Sequence, residues 1–258
     1  MKEKILILSG DPNSINSEII YKSWKKLSFS QKRKIYLISN FELIKSQLKK
    51  LGYKLEVVKV KNLNDQENSN KLKVLDINLN FSNPFNVSDE KSSKFVIKSL
   101  NKAHELALSK DVVGLINCPI SKTLLSKKNI GVTEYLASKC KINDNSEVML
   151  LNNKKLSISP ITTHIDVKEI SKKIKSKTII NKILNIHKWF KKNQNIYPKI
   201  AVLGLNPHNA EFRKNSEEIR IIIPAIKKLK KRGLKIEGPF SSDTIFLKNY
   251  KKYNVIVG

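Results

Sequence analysis

Residues 4–13 read KILILSGDPN and carry the pattern that decides the fold. Residues 4–9 form a short apolar run, which is typical of a strand buried on both faces of a sheet. The turn-forming residues 10–13 follow, and a helical apolar pattern then runs over about residues 15–27. A buried strand, a turn and a helix in this order form the repeating unit of a parallel sheet covered by helices.

The same alternation continues along the chain. Apolar runs predict further strands at residues 34–38, 54–60, 73–77, 112–117, 147–151, 155–161, 199–205 and 254–257. Helical spacing predicts helices at residues 41–51, 133–140, 216–232 and 241–250, a long helix that begins at Ser88, and one or two helices over residues 166–193. We therefore expect an α/β fold with a mostly parallel sheet between layers of helices.

The length of 258 residues allows one large domain or two ordinary ones. We expect two α/β domains, residues 1–128 and residues 129–258. The chain stops directly after its last apolar strand, at Gly258. Parallel sheets carry functional groups just beyond the carboxyl ends of their strands, so we expect a fold whose C-terminal part is missing.

The composition is typical of a soluble, cytoplasmic globular protein. Hydrophobic residues make up 40% of the chain and charged residues 28%, and no apolar run is long enough to span a membrane. We therefore expect no membrane partner. The only cysteines are Cys118 and Cys140, which excludes a disulfide framework.

The net charge of +28 raises the alternative of a nucleic-acid-binding protein. Almost all of the basic residues are lysines, however, and they are spread along the chain. Nucleic-acid sites favour arginine, which makes bidentate contacts with phosphate and guanine. We interpret the charge as a compositional background, and nucleic-acid binding is the least favoured alternative.

Two of the four histidines follow predicted strands. His164 comes after the strand at 155–161, and His208 comes after the strand at 199–205. Both would lie at the carboxyl ends of parallel strands, where sites form, and imidazole is the commonest metal ligand. Two histidines alone are too few for a typical protein metal site, so the spacing leaves a metal site and an ordinary loop position open. His104 and His187 lie inside helical patterns, where packing is the simpler interpretation.

Three further residues are candidates by position. Asp243 could bind a metal or accept a proton, or it could simply favour the start of a helix. Lys122 follows the strand at 112–117. Thr133 opens a helix, where it could bind a phosphate or act as an ordinary cap.

The chain has neither a Gly-x-Gly-x-x-Gly fingerprint nor a P-loop. Five other motifs are spread over nearly the whole chain: SGDPNSINSEI near the start, NCPISK at 117–122, TEYLA at 133–137, PITTHIDV at 160–167 and KIAVLGLNPHNAEF through SSDTIF at 199–246. In sequence and order, these motifs together resemble the 4-hydroxythreonine-4-phosphate dehydrogenase family.

The resemblance implies the two-domain α/β/α fold of isocitrate and isopropylmalate dehydrogenases, which binds NAD without the glycine fingerprint. It also implies a divalent metal (Zn, Mg, Mn or Co) held by three histidines, two of which match His164 and His208. Asp243 and Lys122 match catalytic positions near the site, and Thr133 matches a substrate-binding position. The family's third histidine would follow Gly258, and the family's site lies between the subunits of a homodimer.

The implied reaction is NAD-dependent and metal-dependent oxidation, with decarboxylation, of 4-phosphooxy-L-threonine to 3-amino-2-oxopropyl phosphate in pyridoxal 5'-phosphate biosynthesis. Val132 stands where the family has a substrate-binding histidine. This difference leaves two alternatives: a related dehydrogenase of another phosphorylated hydroxy acid, or a truncated, non-catalytic member of the family.

Overall fold

The computed structural model describes residues 4–65, 70–125, 131–142, 146–153 and 156–258, without the side chain of Lys248. The chain divides into two compact units, Met1–Cys140 and Lys141–Gly258. Each unit contains one five-stranded sheet. The predicted mixed α/β fold with mostly parallel strands is therefore confirmed.

The first sheet is entirely parallel, with the strand order β3-β4-β2-β1-β5. Its strands are β1 (Lys4–Leu8), β2 (Ile35–Ser39), β3 (Val57–Val60), β4 (Leu72–Asp76) and β5 (Val112–Asn117). The helices of this unit are α1 (Asn16–Lys26), α2 (Phe29–Lys32), α3 (Phe41–Lys50), α4 (Asp89–Ala107) and α5 (Val132–Lys139), with a 3-10 turn at Lys122–Leu124.

Alternating residues of β1 pack into two separate cores. Leu6 and Leu8 belong to a cluster that includes Phe95 and Leu100 of α4. Ile5 and Ile7 pack on the opposite face, in a cluster that includes Trp24 of α1 and helix α3. Because successive strand residues point to opposite faces, this division explains why the β1 sequence is apolar at nearly every position.

The second sheet has the strand order β6-β7-β10-β8-β9 and is parallel except at β6, which pairs antiparallel with β7. Its strands are β6 (Leu151–Asn152), β7 (Ser157–Ser159), β8 (Ile200–Leu203), β9 (Ile236–Phe240) and β10 (Val255–Val257). Its helices are α6 (Ile170–Lys173), α7 (Ser176–Gln194), α8 (Ile223–Lys231) and α9 (Ile245–Lys248). Short 3-10 turns lie at Val167–Glu169, Pro207–Phe212 and Tyr250–Lys252, and a π-helical turn lies at Glu218–Ile222.

Strand β10 lies between β7 and β8, and all three of its residues are completely buried. Val255 and Val257 pack in the core that includes α7 and α8, whereas Ile256 packs with Ile245 and Tyr253 on the other face. This short strand therefore joins the two halves of the sheet and both helical layers of the second unit.

The structure differs from the sequence-based expectation at several element boundaries. The predicted helix at 216–232 begins with the π-helical turn, and the predicted segment 166–193 contains two α-helices. Strand β9 was not predicted, because Gly238 and Pro239 interrupt its pattern. The predicted strand at 155–161 begins outside the described residues.

The predicted domain boundary between residues 128 and 129 also lies outside the described residues. Helix α5, which we placed in the second domain, belongs to the first unit. Tyr135 explains this placement, because it is buried in the first core and its hydroxyl donates to Asn101 Oδ1 of α4 at 2.7 Å. Among the described residues, no helix is both long enough and apolar enough to span a bilayer.

Gly10, which follows β1, and Gly52, which follows α3, provide a matched test of how closely the loop after β1 packs against its neighbours. Both have positive φ angles, +76° and +69°, but a Cβ at Gly10 would lie 2.5 Å from the carbonyl oxygen of Pro119, whereas one at Gly52 would meet nothing within 4 Å. We expect Gly52→Ala to cost about 1 kcal/mol of unfolding free energy from the backbone conformation alone. Gly10→Ala should cost about 1–3 kcal/mol more because of the added clash.

Urea denaturation in a Trp189→Phe background measures this difference, because Trp24 then reports on the first unit alone. Equal losses for the two variants would show that the loop after β1 does not lie against Pro119.

Candidate active site at the carboxyl edge of the second sheet

Three of the predicted site residues follow strands of the second sheet at its carboxyl edge. His164 is the fifth residue after the end of β7, His208 is the fifth after the end of β8, and Asp243 is the third after the end of β9. Because these strands are parallel, their loops leave the sheet on the same side. Strand β10 separates β7 from β8, so the axes of β7 and β8 are about 10 Å apart.

His208 and Asp243 face each other across two of these loops. His208 Nδ1 lies 3.8 Å from Asp243 Oδ2, which is too long for a hydrogen bond but close enough for electrostatic attraction. The Ser241 hydroxyl donates to Asp243 Oδ1. This hydrogen bond, with a smaller contribution from the nearby imidazole, holds the pKa of Asp243 below its usual value. Asp243 is thus a carboxylate at neutral pH.

The two histidines share an unusual backbone conformation. His164 has a φ of 56°, and His208 begins a run of five residues, through Phe212, whose φ angles lie between 46° and 56°. None of these residues is glycine, and the left-handed conformation costs an ordinary residue about 1–2 kcal/mol. Such strain persists only where the surrounding structure imposes it, and it is common at functional sites.

Glu218 supplies part of that surrounding structure from beneath the loop after β8. The residue is completely buried. Its Oε1 accepts hydrogen bonds from the backbone N–H groups of Leu205 at 2.9 Å and Asn206 at 2.8 Å. Burial alone would raise the pKa of Glu218, but hydrogen bonds from Asn206, with smaller contributions from the backbone of Glu218 and from Ser216, together leave that pKa below the usual value. The buried group is therefore a carboxylate held by fixed donors.

Asn209, the second residue of the left-handed run, connects that run to strand β9. The residue is buried, and its Nδ2 donates to the carbonyl oxygen of Pro239 in β9 at 3.2 Å. The loop also approaches Gly204 closely, since a Cβ there would lie 2.0 Å from Asn209 Oδ1 and 3.2 Å from Glu218 Oε1. Only glycine at position 204 leaves room for both side chains.

A mainly apolar cavity of about 280 Å³ lies at the same edge of the sheet. Its lining includes Ile161 after β7, Leu205 after β8, and Val257 and Gly258 at the end of β10. The hydroxyl-bearing residues Thr162 and Ser242 also line it. The cavity therefore lies between the loops that carry His164, His208 and Asp243.

Lys122 and Thr133 lie on the first unit. Lys122 begins the 3-10 turn that follows β5, and its side chain is exposed. Thr133 is exposed in the first turn of α5, where backbone N–H groups have no partners within the helix. The structure thus places Lys122, predicted to be catalytic, and Thr133, predicted to bind substrate, on the first unit, and the predicted metal-binding histidines on the second.

The remaining two histidines lie on helices, as expected. His187 packs near Tyr197, and burial, with a smaller effect of Lys191, lowers its pKa. The Nε2 atom of His104, on α4, lies 3.5 Å from the Sγ atom of Cys140.

Within the part of the chain that the structure describes, no three histidine, cysteine, aspartate or glutamate side chains lie close enough together to hold a metal ion.

The sequence did not predict the residues that support the loop of His208. Glu218, Asn206, Asn209 and Gly204 gave no functional pattern of their own. A signal was nevertheless present at Glu218, which precedes the segment IRIII, apolar except for Arg220, and lies on the same buried side of the helix as Ile222. A glutamate in such a place needs hydrogen-bond donors nearby.

Comparison with known proteins decides the family. Residues 31–258 match the family model described as pyridoxal phosphate biosynthetic protein PdxA. This chain belongs to the PdxA family. It is 35% identical to the 4-hydroxythreonine-4-phosphate dehydrogenase of Sulfurihydrogenibium sp. strain YO3AOP1, over 98% of this chain and 79% of that protein. It is 31% identical to the enzyme of the same name from Aquifex aeolicus strain VF5, over 96% of this chain and 77% of that protein.

Solved structures of PdxA proteins share the fold. The crystal structure of 4-hydroxythreonine-4-phosphate dehydrogenase from Klebsiella pneumoniae matches with a TM-score of 0.86 at 25% identity, over 99% of this chain and 81% of that one. The Salmonella typhimurium structure described as a putative 4-hydroxythreonine-4-phosphate dehydrogenase matches with the same TM-score at 26% identity. The resemblance predicted from the sequence motifs is therefore confirmed.

Cys118, in the PdxA motif that follows β5, should be chemically inert. Burial raises the pKa of its thiol to about 11, whereas Cys140 is exposed. At pH 8 we expect an aromatic disulfide reagent to modify one thiol quickly in the native protein and two after denaturation, because the thiolate is the reactive form. Cys140→Ser should remove the fast reaction, and two fast thiols in the native protein would contradict the buried position of Cys118.

Proposed function

We propose that this PdxA-family protein is a 4-hydroxythreonine-4-phosphate dehydrogenase. It oxidises 4-phosphooxy-L-threonine with NAD, and the product loses carbon dioxide to give 3-amino-2-oxopropyl phosphate for pyridoxal 5'-phosphate biosynthesis. The observation that carries this proposal is the family match over residues 31–258, together with relatives of that name aligned over nearly the whole chain. The protein works in the cytoplasm as a homodimer.

The reaction needs a proton acceptor and a hydride acceptor. The secondary hydroxyl of the substrate loses its proton, and the hydrogen on the same carbon leaves as hydride to the nicotinamide ring of NAD. The ketone that forms is β to the carboxylate, so the bond to that carboxylate can break with release of carbon dioxide. The electron pair of that bond passes to the ketone as an enolate, which takes up a proton on the amino-bearing carbon to give the product. Asp243 is the candidate acceptor of the hydroxyl proton because its carboxylate lies beside His208. The hydrogen bond from Ser241 keeps Asp243 ionised but also makes it a weaker base.

The donor set at the sheet edge fits a divalent ion in residue type. His164 and His208 would hold it, and the carboxylate of Asp243 lies beside His208. When bound there, a divalent ion such as Zn, Mg, Mn or Co supplies Lewis acidity that lowers the pKa of the substrate hydroxyl. The two imidazoles would supply nitrogen ligands to such an ion, and the left-handed backbone at both residues sets the direction in which their side chains leave the chain.

The start of α5 suits an anion such as a phosphate group. The exposed Thr133 presents a hydroxyl in the first turn of α5, where the backbone N–H groups have no partners within the helix and favour an anion. Lys122 adds a positive charge after β5. NAD binds without a glycine-rich fingerprint, as the family resemblance implies.

Val132 supports a second candidate, a dehydrogenase of another phosphorylated hydroxy acid. Its side chain packs against the first core, where the family has a histidine that binds substrate. Valine offers no hydrogen bond to a substrate, so the preferred hydroxy acid can differ. A panel of phosphorylated hydroxy acids, compared by kcat/KM, separates the two candidates.

The direct test follows NADH absorbance at 340 nm with 4-phosphooxy-L-threonine, NAD and Mn²⁺. We expect metal-dependent turnover, and a loss of at least about 100-fold in kcat/KM for His164→Ala and His208→Ala, because each removes a ligand of the ion. His187→Ala is the matched control, since this histidine lies on α7 and should change kcat/KM by less than threefold. Turnover that is equal with and without a metal chelator would contradict the roles of His164 and His208.

A further inference from the structure

The loop after β8 has to hold His208 in a backbone conformation that its own sequence does not favour. The run from His208 to Phe212 is left-handed without a single glycine. The backbone hydrogen bonds of that run are local, such as Asn209 N–H to the Asn206 carbonyl oxygen at 3.0 Å. Additional contacts must therefore fix the two ends of the turn.

The end that precedes His208 is fixed by Glu218. One carboxylate oxygen accepts two consecutive backbone N–H groups, those of Leu205 and Asn206, and Asn206 Nδ2 donates to the other oxygen at 3.1 Å. Hydrogen bonds to a charged acceptor are about twice as strong as neutral ones. Since Glu218 is completely buried, water cannot replace them.

The π-helical turn Glu218–Ile222 explains how the carboxylate reaches this place. It begins the helical segment that continues into α8, whose apolar residues pack in the second core. Turns of this kind occur often at functional sites because they redirect side chains. Here the turn brings a carboxylate to the backbone two residues before His208 without moving α8 from the core.

We propose that Glu218 is the positioning residue for His208, which it holds through the backbone of Leu205 and Asn206 in the direction required for ion binding. This inference rests on the proposed role of His208 as a metal ligand. Glu218 itself touches neither ion nor substrate, because it is enclosed beneath the loop.

Glu218→Gln keeps the size of the side chain but removes its charge and one acceptor. The new amide would point a donor at Asn206 Nδ2, which is also a donor. We expect the apparent dissociation constant for Mn²⁺, measured by calorimetry on the folded protein, to rise about tenfold, the size of effect seen when a partner of a metal ligand is lost. Amide exchange at Leu205 and Asn206 should accelerate in parallel.

Glu217→Gln is the matched control. Glu217 accepts from the side chain of Asn206 at 2.9 Å but from neither backbone N–H group, so this variant should change the Mn²⁺ affinity by less than threefold. A purely structural role of Glu218 would lower the melting temperature of Glu218→Gln and leave its Mn²⁺ affinity unchanged.

His208→Ala separates this inference from the proposed function. If His208→Ala loses Mn²⁺ affinity while folded Glu218→Gln keeps it, the positioning role is wrong and the metal site stands. If the wild type binds no Mn²⁺, or if His208→Ala binds it as well as the wild type does, the metal role of His208 and the inference fail together.

Discussion

The parallel pairing of β10 between β7 and β8 is the constraint on which the second unit depends. Three fully buried residues, Val255–Val257, hydrogen-bond to both neighbours and fill the core on both faces of the sheet. Because parallel strands end at the same edge, this pairing brings the His164 and His208 loops to one side of the sheet. The chemistry of the site thus follows from strand order, with each histidine at the same distance in sequence from the end of its strand.

The fold could be predicted largely from hydrophobic periodicity. Buried strands such as β1 and β2 are continuous apolar runs, and long helices such as α4 and α7 keep apolar spacing, so that local sequence and packing agree. Strand β9 could not be found in this way, because its Gly-Pro pair is unusual in a strand. The placement of α5 depended on a tertiary contact, that of Tyr135 with α4, which no local pattern reports.

The candidate site was predictable in its residue types but not in its geometry. Strand ends and motifs pointed to His164, His208 and Asp243, and the structure brings His208 and Asp243 to within 3.8 Å. The left-handed run after His208 gave no signal, since such a conformation normally calls for glycine and none is present. It is held in place by hydrogen bonds to residues outside the run. Glu218 accepts from the backbone of Leu205 and Asn206 before the run, and Asn209 within the run donates to the carbonyl oxygen of Pro239. Tertiary contacts of this kind override local preference.

Proton NMR of the four imidazoles during titration with Mn²⁺ tests most directly whether the carboxyl edge of the second sheet is a metal site. A paramagnetic ion broadens the resonances of the groups nearest to it, and the chain has only four histidines to distinguish. A metal site at this edge predicts that the resonances of His164 and His208 broaden first and together, while those of His104 and His187 stay sharp. Broadening of His104 or His187 before the other two, or equal broadening of all four, would contradict it.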